Sequence, residues 1–300
     1  MKVFDGHGLS AVEWQPGDDT IRLLVTGLDT VTARYAIGAD GMWSPLRKAL
    51  GAADEPGYLG EWHAFRQYFT GVNGPAATQM WVWFEEDLLP GYVWSFPLPD
   101  GRLNVGYGVQ RGSKRAPEPL GKRMRQLWPE ILARPHIRDV LGHDAVPEAP
   151  HKAWPIPARD TPLTAAGGRA LFVGDAARAT DPMTGEGIGQ ALDTGVHAAA
   201  AILAAGAMRP RSAAVHYQRE VQRTLAVDNR LAEALSRALR HRKGARGAIR
   251  LSGLTPWTRR SFARWLFEDY PRALAATPSR WRRGALSSPG AFFDSAERGR

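Results

Sequence analysis

The stretch LFVGDAARATDPMTGEGIGQALDTGVHAA, Leu171 to Ala199, restricts the fold more than any other part of the chain. Its apolar run Leu171–Val173 reads as a buried strand that ends at Gly174-Asp175. A loop interrupted by Pro182 and Gly185 follows, then a helix of small residues entered through Gly187-Ile188-Gly189. Strand, loop and helix in that order belong to an α/β layer, where ligands sit beyond the carboxyl ends of the strands. Asp175 stands at such an end, and an ionised carboxylate only accepts hydrogen bonds, so it suits sugar or polyol hydroxyls. The bare helix entrance offers free N–H groups and the positive end of the helix dipole. Its glycines let a flat or anionic ligand approach the backbone itself. Singly, each of these residues is explained as well by capping or by close helix packing. Together they describe a ligand with hydroxyls at one end and an electron-rich planar acceptor at the other. Along the helix, Ile188, Ala191, Leu192, Gly195, Val196, Ala199, Ile202 and Leu203 share one stripe, which the spacing predicts to be the packed face.

Elsewhere the pattern is mixed. TIRLLVTG and VTARYAIGADG predict two strands, and SPLRKALG a short helix capped by Ser44, with Pro45 in its first turn and Gly51 as its stop. Between Glu61 and Val109 the aromatic and β-branched runs predict strands, with a hairpin at Pro99-Asp100-Gly101. Alternation puts Tyr92, Trp94 and Phe96 on one face, and Trp81 and Trp83 likewise in the strand before. Such a wall of rings either packs against core helices or lines a pocket for a large apolar substrate. Residues 116–141 and most of 212–285 read as helical, the latter broken at Gly244–Gly247 and Pro256, and 151–168 reads as an extended connector.

Composition narrows the function classes. A hydrophobic content of 44% is that of a globular chain. With no cysteine there is no disulfide and no thiolate chemistry, which suits a cytoplasmic chain. The eight histidines are scattered without ligand spacing, so no metal site is expected. No apolar window has the length of a membrane span. The net charge of +9 is uneven: residues 209–300 carry 20 lysines and arginines against 7 acids, the first 208 carry 19 against 23. GEGIG is one residue short of a dinucleotide fingerprint, and GxxxxGK[ST], GxSxG and HExxH are absent.

GDAARATDPMTGEGIGQALDTGVHAA resembles the second FAD motif of the flavoprotein superfamily that includes para-hydroxybenzoate hydroxylase-type monooxygenases, and IGADGMWSPLRKAL resembles its Asp-Gly motif. Tyr92-x-Trp94-x-Phe96-Pro97 is similar to the substrate-side motif of the geranylgeranyl reductase branch. The resemblance implies that Asp175 accepts from the FAD ribityl hydroxyls and that Pro182 and Gly185 lie against the isoalloxazine edge. It places the backbone of Gly187, Ile188 and Gly189 at the flavin N1–C2=O region, and Asp40, Gly41 and Arg47 near the pyrophosphate. Tyr92, Trp94 and Phe96 become substrate-binding residues over the flavin, while no acid–base residue is singled out. Arg178 stands where a smaller residue or histidine is expected.

The implied fold is α/β with a mixed sheet: an incomplete, Rossmann-like FAD-binding domain (1–55 and 165–208), an antiparallel substrate sheet (56–164) and a helical C-terminal region (209–300). The strand–GxGxxG–helix unit that holds the ADP half of FAD in this superfamily is not in the sequence. A fragment, a start assigned too late or a partner chain supplying the unit is therefore expected. The implied function is FAD-dependent reduction of C=C bonds in an isoprenoid or quinone-type substrate, with NAD(P)H as donor. Aromatic monooxygenation is the alternative within enzymes, and a non-catalytic remnant or partner subunit the alternative outside them. No nucleic-acid partner is expected. The basic tail with Arg280, Trp281, Arg282 and Arg283, after Trp265, Phe267 and Tyr270, predicts peripheral contact with a membrane.

Overall fold

The structure, a computed structural model, describes residues 1–52, 57–112, 120–267, 273 and 277–278. The chain divides into two compact units, one of Met1–Asp54, Asp160–Ser236 and Arg246–Arg300, the other of Glu55–Arg159 and Arg237–Ala245.

In the first unit, β1 (Leu9–Glu13), β2 (Ile21–Val25) and β3 (Val31–Ala33) form an antiparallel sheet. The irregular register between Leu9 and Ala11 hides β1 from a search for strict alternation. The second predicted strand is in fact two. β3 closes this sheet, the chain turns at Arg34-Tyr35, and β4 (Ala36–Gly38) joins another. Arg169 fixes the turn: its guanidinium donates to the Arg34 carbonyl at 3.1 Å, and its own carbonyl accepts from the Ala36 N–H at 2.8 Å. The helix α1 (Pro45–Ala49) follows as predicted, with the Ser44 hydroxyl accepting from the Arg47 N–H.

The second unit is an antiparallel sheet in the order β10-β5-β8-β7-β6, with β9 also paired to β5. Its strands are β5 (Trp62–Thr70), β6 (Trp81–Trp83), β7 (Tyr92–Pro97), β8 (Leu103–Gln110), β9 (Val146–Pro147) and β10 (Lys152–Ile156). β10 makes a strand of part of the predicted connector. The hairpin between β7 and β8 turns where Pro99-Asp100-Gly101 places it, with Gly101 at φ +82°. The helices α2 (Leu120–Leu132) and α3 (Pro135–Leu141) cover one face. There Met124, Trp128, Ile131 and Ile137 pack on Phe65, Val93, Leu103, Val105 and Tyr107. Two polar tips in this layer are satisfied within it: the Tyr107 hydroxyl donates to the Met124 carbonyl at 2.7 Å, and the Trp128 indole to Gln67 at 2.6 Å.

The chain then returns to the first unit. β11 (Thr164–Ala165) and β12 (Ala170–Phe172) complete a small sheet in the order β11-β12-β4, in which β12 and β4 run parallel. Ala170 and Phe172 face one apolar cluster with Ala36 and Leu46, while Leu171 and Val173 face another with Ala198, Ala201 and Tyr217. The second cluster comes from α4 (Ile188–Ala205) and α5 (Pro210–Val221).

Two helical expectations change. The packed face of α4 is Thr194, Ala198, Ala201 and Ala205, whereas Ile188, Leu192, Val196 and Leu203 of the predicted stripe are exposed. Short side chains let the helix axis approach β12, which is why Gly174 has Ala191 Cβ at 3.1 Å from where its own Cβ would stand. The later helices are α6 (Val227–Leu239), α7 (Arg242–Gly253) and α8 (Pro256–Phe267). The break falls at Arg240-His241, and Gly244–Gly247 lies inside α7. Among the described residues one helix, α4, is long and apolar enough to cross a membrane by length and composition alone. The predicted tail contact at Arg280, Trp281, Arg282 and Arg283 lies outside the described residues.

Candidate functional site

The parallel pairing of β4 with β12 sets Ile37 beside Leu171 and Gly38 beside Phe172. Both strands therefore deliver their following loops to one edge of the sheet, the edge where α/β proteins bind ligands. Asp40 and Asp175 leave from it.

The loop after β12 is tightly built. Gly174 takes φ +57°, and its N–H donates to the buried Thr194 hydroxyl of α4 at 2.9 Å. Arg178 adopts a left-handed conformation (φ 54°) although it carries a side chain, and it is buried. Burial first, and then the nearby Arg47 charge, lower its pKa to about 10. The buried Asp181 carboxylate accepts from the N–H groups of Met183 (2.9 Å) and Thr184 (2.7 Å) and from the Thr184 hydroxyl (3.0 Å). The Asp181 carbonyl accepts from the Gly185 N–H at 3.0 Å. Pro182 is buried inside this turn and Gly185 takes φ +73°. The loop thus returns the chain to the start of α4 through a turn closed on the Asp181 side chain and carbonyl.

At that start, Gly187 is the N-cap and makes no side-chain cap bond, so the first N–H groups of α4 stay open. A Cβ on Gly187 would lie 3.7 Å from the Asp175 carboxylate and 3.3 Å from the Thr180 hydroxyl. The structure therefore brings Asp175 together with Gly187, at the head of a helix whose next residues are Ile188 and Gly189. Burial raises the pKa of Asp175, and the Thr180 hydroxyl, at 3.4 Å, lowers it only in part.

Asp40 caps its own helix, accepting from the Ser44 hydroxyl at 2.6 Å and the Leu46 N–H at 2.9 Å, after the turn through Gly41 at φ +76°. Arg47 is buried, with its cation over the Phe172 ring at 4.6 Å. It donates to the Pro162 carbonyl (2.8 Å), the Thr161 hydroxyl (2.6 Å) and the Ala176 carbonyl (3.3 Å). It ties α1 to the loop that presents Asp175.

In the second unit, Tyr92, Trp94 and Phe96 form one ladder on the sheet face turned away from α2 and α3, with centroids 5.9 and 6.3 Å apart. Gly106 lies opposite Trp94, and a Cβ there would collide with the indole and with the Phe65 carbonyl. The Arg66 cation lies over the Tyr68 ring of the same face at 4.9 Å. Trp81 and Trp83, stacked at 5.9 Å, pair with Ser95 and Val93 and so occupy the opposite, helix-covered face. The wall of rings is thus two walls.

Sequence reasoning missed Thr180, Asp181 and Thr194. The signal for Asp181 was present, because an Asp followed by Pro and then Thr three positions on is the pattern of a side-chain-closed turn. The role of Thr194 shows only once α4 is packed on β12.

A family model described as FAD binding domain matches residues 5–227. The menaquinone reductase of Mycolicibacterium smegmatis is 29% identical over 221 residues, which cover 69% of this chain and 50% of that protein. Digeranylgeranylglycerophospholipid reductase 1 of Methanopyrus kandleri is 29% identical over 176 residues, covering 56% of this chain and 43% of that protein. The chain spans about half the length, or less, of these curated relatives. Among solved structures, a geranylgeranyl bacteriochlorophyll reductase-like protein of Thermoplasma acidophilum superposes with a TM-score of 0.62 at 17% identity, over 91% of this chain and 69% of that one.

Proposed function

The chain belongs to the FAD binding domain family, and from that premise we propose that it works as an FAD-dependent reductase of C=C bonds in an isoprenoid or isoprenoid-quinone substrate, with NAD(P)H as electron donor. The observation that carries the cofactor assignment is the Asp175 carboxylate. It is half-buried and meets one long hydrogen bond from Thr180, beside an uncapped helix start. A half-buried anion left with unused acceptor sites fits a ligand that brings hydroxyls to it.

When bound, FAD supplies the hydride chemistry. The residues of this chain bind and polarise. Asp175 accepts from the polyol hydroxyls. The open N–H groups at Ile188 and Gly189 and the positive end of the α4 dipole would favour negative charge on a bound ring. Pro182 and Gly185, fixed by Asp181, would offer it a backbone surface. Asp40, Gly41 and Arg47 serve the phosphate side, and Arg47 also sets the position of Asp175 through the Ala176 carbonyl. The ladder of Tyr92, Trp94 and Phe96 offers the apolar surface that a long isoprenoid requires.

The reductase reading over aromatic hydroxylation is supported by the names of the relatives. Its test is anaerobic turnover of a menaquinone with an unsaturated side chain, in the presence of FAD and a nicotinamide donor, read by mass. Products heavier by whole hydrogen pairs are expected. Conversion only in the presence of oxygen, with oxygen gained by the product, would replace the reading with monooxygenation.

A further inference from the structure

Arg178 closes the short turn after β12. Its N–H donates to the Asp175 carbonyl at 3.0 Å, and its backbone takes φ 54°, ψ 34°. Glycine adopts that left-handed conformation freely at the end of a helical turn, and a residue with a side chain adopts it at a cost. The side chain is then buried, with 3% of the residue exposed, where a cation loses its hydration. Local conformation asks for glycine here and burial asks for an uncharged group, yet the sequence places an arginine. Two local rules broken at one residue are typical of a functional position.

The surroundings indicate which function. Arg47, also buried, donates to the Ala176 carbonyl at 3.3 Å, two residues before Arg178. Its charge disfavours that of Arg178, so the two guanidiniums lie within each other's field inside the fold. The Asp175 carboxyl answers to burial and to Thr180, not to either arginine. The loop therefore has an accepting end at Asp175 and a cationic end at Arg178 and Arg47. An anion at the cationic end offsets the cost of both charges, and the guanidinium fork suits paired phosphate oxygens.

We propose that Arg178 and Arg47 form a diphosphate site, and that Arg178 makes the loop select FAD over a flavin that stops at the polyol. The second half rests on the flavin reading of Asp175. FAD follows its polyol with a diphosphate, and the loop follows Asp175, which suits polyol hydroxyls, with the arginine pair. The turn itself does not require the Arg178 side chain. It is closed by backbone bonds, from the Arg178 N–H to the Asp175 carbonyl and from the Ala179 N–H to the Gly174 carbonyl at 3.1 Å. Glycine at position 178 could make the first of these as well.

Arg178→Gly separates ligand binding from a structural role. It removes the cation and suits the left-handed backbone, so the protein without ligand should melt no lower than wild type. Two flavins report the ligand end: riboflavin has the ring and polyol, and FAD adds the diphosphate and adenosine. In fluorescence titrations Arg178→Gly should bind FAD about 10- to 100-fold more weakly than wild type and riboflavin equally well, whereas Asp175→Ala should weaken both. Arg178→Lys should recover part of the FAD affinity, since it restores the charge without the fork. Inorganic diphosphate carries the test without a flavin: it should raise the melting temperature of the wild type and not that of Arg178→Gly. The proposal is overturned if Arg178→Gly keeps its FAD affinity, if it loses both flavins equally, if it melts lower than wild type without ligand, or if diphosphate stabilises both proteins alike. A wild type that binds neither flavin, yet gains from diphosphate where Arg178→Gly does not, would uphold the anion site and sink the flavin reading.

Discussion

Asp175 is raised in pKa because it is buried with little compensation. A carboxyl whose folded pKa lies above its unfolded value holds its proton more tightly when folded. The folded state therefore keeps its full stability below the ordinary value of 3.8 and loses some as pH rises through the folded value. Asp175→Asn removes the ionisation. Its melting temperature should equal that of the wild type in acid and exceed it increasingly toward neutral pH, as seen in thermal melts across pH. A variant less stable than wild type at neutral pH would show that partners, not burial, govern this carboxylate. Thr194 makes a second test. Thr194→Val keeps the shape but strands the Gly174 N–H, at a cost of about 1–3 kcal/mol. Thr194→Ser should restore most of that loss in denaturant titrations, and equal stability of the Val variant would remove the bond from the account.

At the scale of elements, the two faces of the aromatic sheet separate by substitution. Trp94 lies on the open face and is only partly buried. Trp94→Ala should thus cost less than the roughly 3–5 kcal/mol of a core tryptophan or phenylalanine, while turnover of long isoprenoids falls and flavin content holds. A loss in the core range would make Trp94 a packing residue. These faces also show what the sequence could reveal. Alternation correctly grouped Tyr92, Trp94 and Phe96, because period two is intrinsic to a strand. It was silent on whether Trp81 shares their side, since register between strands is fixed by pairing. For α4, the periodicity was real but the packed face was misread: large apolar residues dominate the count, whereas alanines permit the close approach to β12. The loop of Asp175 was legible as strand, acid, glycine and helix entrance. The Asp181 turn was read only as a Pro-Gly interruption, although Asp181-Pro182-Met183-Thr184 carries the pattern of a side-chain-closed turn.

For the whole molecule, the basic C-terminal third and the lipid character of the proposed substrate predict a peripheral membrane surface. Binding to anionic liposomes should weaken with salt and vanish when residues 257–300 are removed. Equal sedimentation of the full-length and shortened chains would argue against it. The central claim, however, is that FAD is held where Asp175 meets the head of α4. Titration of FAD into the wild type and Asp175→Ala, followed by flavin fluorescence, measures it. A charge-assisted hydrogen bond of about 1.5–3 kcal/mol predicts a dissociation constant about 10- to 100-fold higher for the variant, with its melting temperature at neutral pH no lower. An unchanged dissociation constant would contradict the account.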